Sequence, residues 1–199
     1  PGLNLRDRIF VRNLQSLSQQ LNAPIAFGTP VKHQKKYYNS CAVIGADGLN
    51  KQLYRKARLM PFGEYWPMKP VFRFLNLERL LGNADYSPAP YTVPISIPNL
   101  EIGPLICLES IYDQFARKHR RLGAEVLLSL ANNGWFLESK LSVYHLNLTR
   151  VRAVETALPM VHVSNLGPSA VISPSGLIIK QSQQLSTAVF TAQTPYQFK

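Results

Sequence analysis

The chain has 199 residues, enough for one domain with a sizeable core. Apolar residues make up 46% and charged residues 17%, a globular rather than a disordered composition. A formal net charge of +11 favours an anionic partner, but the basic residues are scattered and show neither zinc-finger spacing nor an aromatic RNA-binding signature. A solvated basic surface accounts for most of this charge, attraction to an acidic membrane face comes next, and nucleic acid is not expected. No stretch approaches the roughly 20 apolar residues of a membrane-spanning helix.

In chain order, residues 4–22 predict a helix, with Leu5, Ile9, Leu14, Leu17 and Leu21 near helical spacing and Pro24 beyond its end. Ile25 to Gly28 is a short buried strand, Lys32 to Tyr37 a polar turn, and Tyr38 to Ile44 a second strand. Asp47-Gly48 marks a hairpin, with Leu49 to Tyr54 returning. A proline-rich arm follows at about 66–103. It contains an apolar segment, Val71 to Leu81, with helical spacing. Beyond Pro104, strands at 105–108, 126–130 and 160–164 alternate with helices at 111–122 and 144–156, and a hairpin closes at Pro174-Ser175-Gly176. Such alternation predicts an α/β domain covering residues 1–199.

Two cysteines make neither a disulfide framework nor a zinc site. Cys107 stands where a strand hands over to a helix, a corner at which backbone amides can face a developing oxyanion. A cysteine nucleophile needs an activating neighbour. His33, His119 and His162 read as a turn, a helix and a core position, and no local pattern ties His145 to the thiol. Lys56 and Glu64 are the alternative activators, although on the residues alone a surface ion pair is the simpler reading. They lie at a strand end and eight positions later, past a Pro-Phe-Gly turn. An ammonium there can stabilise an anion, and the glutamate can hold the lysine or take a proton.

Four segments carry a resemblance: YRKARLMPFGEYWP, PLICLES, LLSLANNGWF and HLNLTRVRAVETALPMVHVSNLGPSAVISPSG. In order and spacing they resemble the nitrilase (carbon–nitrogen hydrolase) superfamily. Tyr37-Tyr38 before Asn39-Ser40, the Pro-Phe-Gly-Glu-Tyr turn, the apolar arm after Pro67 and the DYSPAP segment are most similar to its apolipoprotein N-acyltransferase family. The resemblance implies a nitrilase-like α-β-β-α sandwich. It implies catalysis by Cys107, Lys56 and Glu64, with Leu108, Glu109 and Trp135 serving oxyanion or substrate binding, and no metal or cofactor.

The implied reaction moves an acyl group from a phospholipid, through a cysteine thioester, to the N-terminal amine of a lipoprotein. The implied setting is a bacterial inner membrane, with this domain on the periplasmic side. The family's general-base glutamate, in a Pro-Glu motif before the first helix, has no match in a chain beginning Pro1-Gly2. The C-terminal residues stop about where the family's last membrane helix starts. A fragment cut at both ends or a naturally shortened relative, with the sandwich incomplete at its N-terminus and the chain alone inactive, is therefore expected. Leu108 in place of a tyrosine, Asn133 in place of an aspartate and Leu137 in place of a glycine depart from the family pattern. A soluble nitrilase-type amidase and a catalytically inactive nitrilase-like protein are the alternatives.

Overall fold

The computed structural model describes residues 5, 7–68, 74–75, 86–135 and 139–193, with Trp135 described by its backbone alone. Helix α1 (Arg8–Leu21) starts at Asp7, whose carboxylate accepts the N–H groups of Ile9 and Phe10. These are two of the amides that a helix start leaves without partners. Phe10, Leu14 and Ser18 turn inward, while Ile9, Leu17 and Leu21 are exposed. The buried stripe therefore lies about one residue away from the one that the leucine spacing predicts. Phe10 meets Phe27 edge-on at 5.7 Å, and Ser18 Oγ donates to the Ala23 carbonyl at 2.7 Å, which together fix the helix rotation.

Strands β1 (Ile25–His33) and β2 (Lys36–Gly45) form one antiparallel hairpin in continuous register, from Ile25 opposite Ile44 to His33 opposite Lys36. The expected polar turn at 32–37 shrinks to Gln34 and Lys35. Pro30 is no obstacle, because β1 ends the sheet order and a proline needs no ladder donor on a free side. The expected return strand at 49–54 is split in two. Strand β3 (Gly48–Leu49) pairs the end of β2, and β4 (Tyr54–Arg55) pairs Ser40 and Cys41. Between them the Asn50 side chain accepts the Gln52 N–H and donates to the Ser96 carbonyl, turning the chain away from the ladder.

The second sheet has the order β10-β9-β8-β7-β6-β5. Its strands are β5 (Ile95–Ile97), β6 (Leu100–Ile106), β7 (Val126–Asn132), β8 (Met160–Asn165), β9 (Ala170–Ile172) and β10 (Ile178–Gln181). Strands β6, β7 and β8 run parallel, and the other pairings are antiparallel. Helices α2 (Asp113–Arg121) and α3 (Leu141–Thr156) connect the parallel strands. The period of two along β6 and β7 divides the core. Leu105 and Leu127 pack with Phe115, Leu146 and Ala153 under the helices, whereas Ile102, Ile106 and Leu128 pack with Cys41, Val43 and Tyr54 of the first sheet. The layers run α1, four-stranded sheet, six-stranded sheet, α2 with α3: the α-β-β-α sandwich. Strand β5 falls inside the proline-rich arm. The helix expected over 71–81 lies outside the described residues except for Phe74 and Leu75, both exposed.

Candidate active site

Strand β6 ends at Ile106, and the chain turns at Cys107 into a single 3-10 turn, Cys107–Ile111. Cys107 has φ 52°, in the left-handed region that side-chain-bearing residues rarely occupy. The corner is tied from within. The Glu109 carboxylate accepts the Ile106 N–H at 2.9 Å, and Ser110 Oγ donates to the Cys107 carbonyl at 2.9 Å. Because β6 is flanked by parallel β7, the corner opens at the carboxyl end of parallel strands, the usual place for a ligand crevice.

The lysine comes from the other sheet. Past β4, the Lys56 N–H donates to the Asn39 carbonyl at 2.8 Å, and the side chain runs inward until it is 1% exposed. Its Nζ meets Glu64 Oε2 at 2.6 Å. The Pro61-Phe62-Gly63 turn makes that meeting possible. Phe62 takes φ 63°, and the Glu64 N–H closes back on the Met60 carbonyl at 2.9 Å. Glu64 also accepts Asn39 Nδ2 at 2.6 Å and the Met60 N–H at 2.8 Å, so it is a fixed counter-charge for the lysine.

Glu109 fastens these two pieces together. It is fully buried. One oxygen accepts the N–H groups of Ala57 and Arg58, and the other accepts the Tyr54 hydroxyl and the Ile106 N–H. Burial pushes its carboxyl up from the ordinary value, and the four donors pull the other way. Burial, and then the charge of Glu109, raises the Tyr54 hydroxyl.

Cys107, Lys56 and Glu64 line one cavity of about 210 Å³, together with Asn39, Met60, Gly63, Tyr86 and Asn132. Tyr86 also lines two wider clefts. One, of about 440 Å³, reaches Cys107 between β1 and the ends of β7 and β8. The other, of about 620 Å³, is lined by Leu108, Arg58, Tyr65, Tyr112 and Phe115. Burial and the nearby Glu64 charge raise the Tyr86 hydroxyl.

The three residues that the sequence singles out for catalysis thus share a cavity. The Leu108 side chain lines the neighbouring cleft, Glu109 is sealed with both oxygens engaged, and Trp135 belongs to the short turn Asn133–Trp135. Asn39, Tyr86 and Asn132 were not singled out as site residues. All three lie within segments that carried the resemblance, Asn39 after the double tyrosine, Tyr86 in DYSPAP and Asn132 in LLSLANNGWF, which was the available signal. No group of three potential metal ligands occurs among the described residues.

A family model described as carbon-nitrogen hydrolase matches residues 6–197. The curated relatives include an apolipoprotein N-acyltransferase from Rickettsia typhi, 37% identical over 75% of this chain and 30% of the relative. Another, from Pseudomonas putida, is 34% identical over 95% of this chain and 38% of the relative. The chain thus spans about a third of the length of these relatives. Among solved structures, a carbon-nitrogen hydrolase from Helicobacter pylori G27 superposes with a TM-score of 0.69 at 20% identity, covering 88% of this chain and 64% of that one. An amidase mutant from Nesterenkonia sp. AN1, with acrylamide added to its active-site cysteine, gives a TM-score of 0.61 at 15% identity, covering 87% of this chain and 64% of that one. These structural likenesses establish the nitrilase-like fold.

Proposed function

Because the chain belongs to the carbon–nitrogen hydrolase family, we propose that it is the acyl-transfer domain of an N-acyltransferase whose nucleophile is Cys107. One observation carries this reading: a free cysteine on a left-handed corner shares a 210 Å³ cavity with a buried lysine that is already paired to a glutamate. Relatives named apolipoprotein N-acyltransferase supply the substrate classes, a phospholipid acyl donor and a lipoprotein acceptor.

In the first step a base takes the Cys107 proton, and the sulfur attacks the ester carbonyl of the phospholipid. Lys56 Nζ has three N–H donors, and Glu64 engages it from one side. The remaining donors, with the Leu108 amide, stabilise the tetrahedral oxyanion. The lysophospholipid leaves as an alcohol, carrying the proton, and a thioester remains. In the second step the amine of a lipidated N-terminal cysteine attacks the thioester. An amide forms and the thiol is restored, so one hard step becomes two easier ones. Glu64 already accepts three hydrogen bonds and holds the lysine. We therefore assign the proton to the family's Pro-Glu glutamate, which no residue among the 199 matches.

We place the domain on the periplasmic face of an inner membrane, with its mouth towards the lipid. Phe62 and Met68, beside the lysine loop, are 62% and 65% exposed, and the chain carries a net charge of +11. Exposed apolar groups beside a basic surface suit an acidic bilayer. Among the described residues no helix is long and apolar enough to cross a membrane.

The test is incubation of the protein with its Pro-Glu glutamate present, in detergent micelles, with a phospholipid carrying an isotope-labelled acyl chain, followed by mass spectrometry of the Cys107 peptide. A labelled thioester is expected, with the protein left unlabelled after Cys107→Ala. Label retained by that variant would sink the nucleophile assignment. Turnover of small amides without any lipid-derived thioester would favour the amidase, the chemistry of one solved neighbour.

A further inference from the structure

Behind the thiol lies a closed set of polar groups for which the acyl-transfer steps have no use. His145, on α3, is buried. Its Nε2 stands 2.8 Å from Ser110 Oγ and 3.2 Å from the Cys107 carbonyl oxygen, and its Nδ1 stands 3.1 Å from Asn133 Oδ1. Ser110 Oγ accepts Thr149 Oγ1–H at 3.0 Å. Asn133 is itself held by Ser164 Oγ at 2.8 Å and by Asn165 Oδ1, which accepts its N–H at 2.9 Å. The His162 ring meets His145 edge-on at 5.2 Å. None of Ser110, Asn133, His145 and Thr149 lines the three cavities around the site.

Cys107 is the part that needs holding. Its left-handed backbone is costly for a residue with a side chain, and such a conformation persists only where the surroundings impose it. Its carbonyl oxygen can only accept, so a hydrogen bond from the ring at 3.2 Å requires the ring proton on Nε2. Ser110 Oγ accepts from Thr149 and from Nε2, which leaves its own hydrogen for the same carbonyl. Two donors thus converge on one acceptor. The neutral ring then shows a lone pair at Nδ1. Asn133 stands with Oδ1 towards this lone pair; turning its amide over brings Nδ2 to Nδ1 and Oδ1 to the Ser164 hydroxyl, which then gives up its bond to the Asn165 carbonyl.

We propose that His145 is a positioning residue: with Ser110 it grips the Cys107 carbonyl and so keeps the thiol aimed into the lysine cavity, without touching substrate. The proposal rests on Cys107 being the reactive thiol, as assigned above, but not on the identity of the acyl donor. Its test is therefore free of substrate.

The measurement is the rate of Cys107 alkylation by iodoacetamide, read by peptide mass. Cys41 is the internal control, since it is fully buried and its thiol is pushed up to about 12. His145→Leu keeps bulk without a donor, His145→Gln returns an amide N–H near the place of Nε2, and Ser110→Ala removes the second donor. With folding verified by circular dichroism, His145→Leu should slow alkylation about tenfold and Ser110→Ala about threefold, while His145→Gln stays within about threefold of wild type. An unchanged or faster rate in His145→Leu or in Ser110→Ala overturns the proposal, as does His145→Gln being as slow as His145→Leu. If His145→Leu does not fold, Ser110→Ala and His145→Gln decide on the same criteria. Normal dependence on His145 without phospholipid labelling would sink the acyl-transfer reading and leave this proposal standing.

Discussion

Cys107 has two unlike surroundings. In front, the cavity wall is charged: Lys56 and Glu64 form an ion pair inside a space that opens towards two clefts. Behind, the wall is polar but uncharged, built of Ser110, His145, Asn133 and Thr149, none of which lines the three cavities described around the site. The difference separates two tasks. Chemistry needs a charge that can answer a developing negative charge, and it needs room for a reactant. Holding a strained corner needs neither, only donors and acceptors that match in number and direction. Glu109 joins the two sides, with one oxygen on the lysine loop and the other on the corner and Tyr54.

The strongest way to break this comparison is to remove the front charge. Lys56→Met should lower kcat/KM for acyl transfer on the order of 10²–10³-fold, the usual effect of losing one oxyanion donor. It should also cost stability, because Glu64, only 13% exposed, would remain half-buried without its counter-charge. A loss of about 3 kcal/mol is expected, measurable by urea unfolding. If Lys56→Met lost stability yet kept its rate, the front would be structural and the division of tasks would fail.

The buried histidines, His145 and His162 behind the thiol and His119 on α2, can be probed through protons. Burial lowers His162 from 6.5 to about 3 and His119 from 6.5 to about 4, and it lowers His145 as well. A folded value below the unfolded one means that the unfolded chain binds the proton first as pH falls. Stability is therefore full above 6.5 and is lost as pH drops towards the folded values. Glu109 has the opposite sign: raised from 4.5, it is protonated first in the folded chain and offsets part of the loss in acid. Between about pH 7.5 and pH 5, His119 and His162 should each cost about 2 kcal/mol. Urea unfolding across that range reads the slope. His162→Leu should remove about one proton from it, and an unchanged slope would show that this ring does not titrate with folding.

Much of the front was legible in the sequence, and little of the rear. Lys56, Glu64 and the Pro-Phe-Gly turn lie within one short segment, so their pairing is a local event, but only the resemblance marked the pair as a site rather than a surface ion pair. The Cys107 corner was legible as a strand running into a helix. His145, Asn133 and Ser110 come from three separate elements, and each residue type has an ordinary use on its own. Only the stacking of α3 on β6 and β7 brings them together. The α/β class followed from strand–helix alternation and the four layers from the resemblance, but the inward face of α1 followed from neither. Its leucines marked one stripe, while the contacts of Phe10 and Ser18 turned the helix to another.

The smallest expected effect tests the joint. Tyr54→Phe removes the hydroxyl that donates to Glu109 at 2.7 Å and that Thr92 also engages. Glu109 would keep its three backbone donors, two on the lysine loop and one at the corner, so both sides stay tied. The buried Thr92 hydroxyl would lose a partner, and one oxygen of the sealed carboxyl would lose the nearer of its two donors. A stability loss of about 1.5 kcal/mol follows from the lost bond, read as a shift in the urea midpoint. Geometry at Cys107 should hardly move, so kcat/KM should stay within about threefold of wild type. A fall beyond about tenfold at unchanged stability would put Tyr54 in the chemistry itself, because a hydroxyl that served only the joint cannot be missed by the reaction and not by the fold.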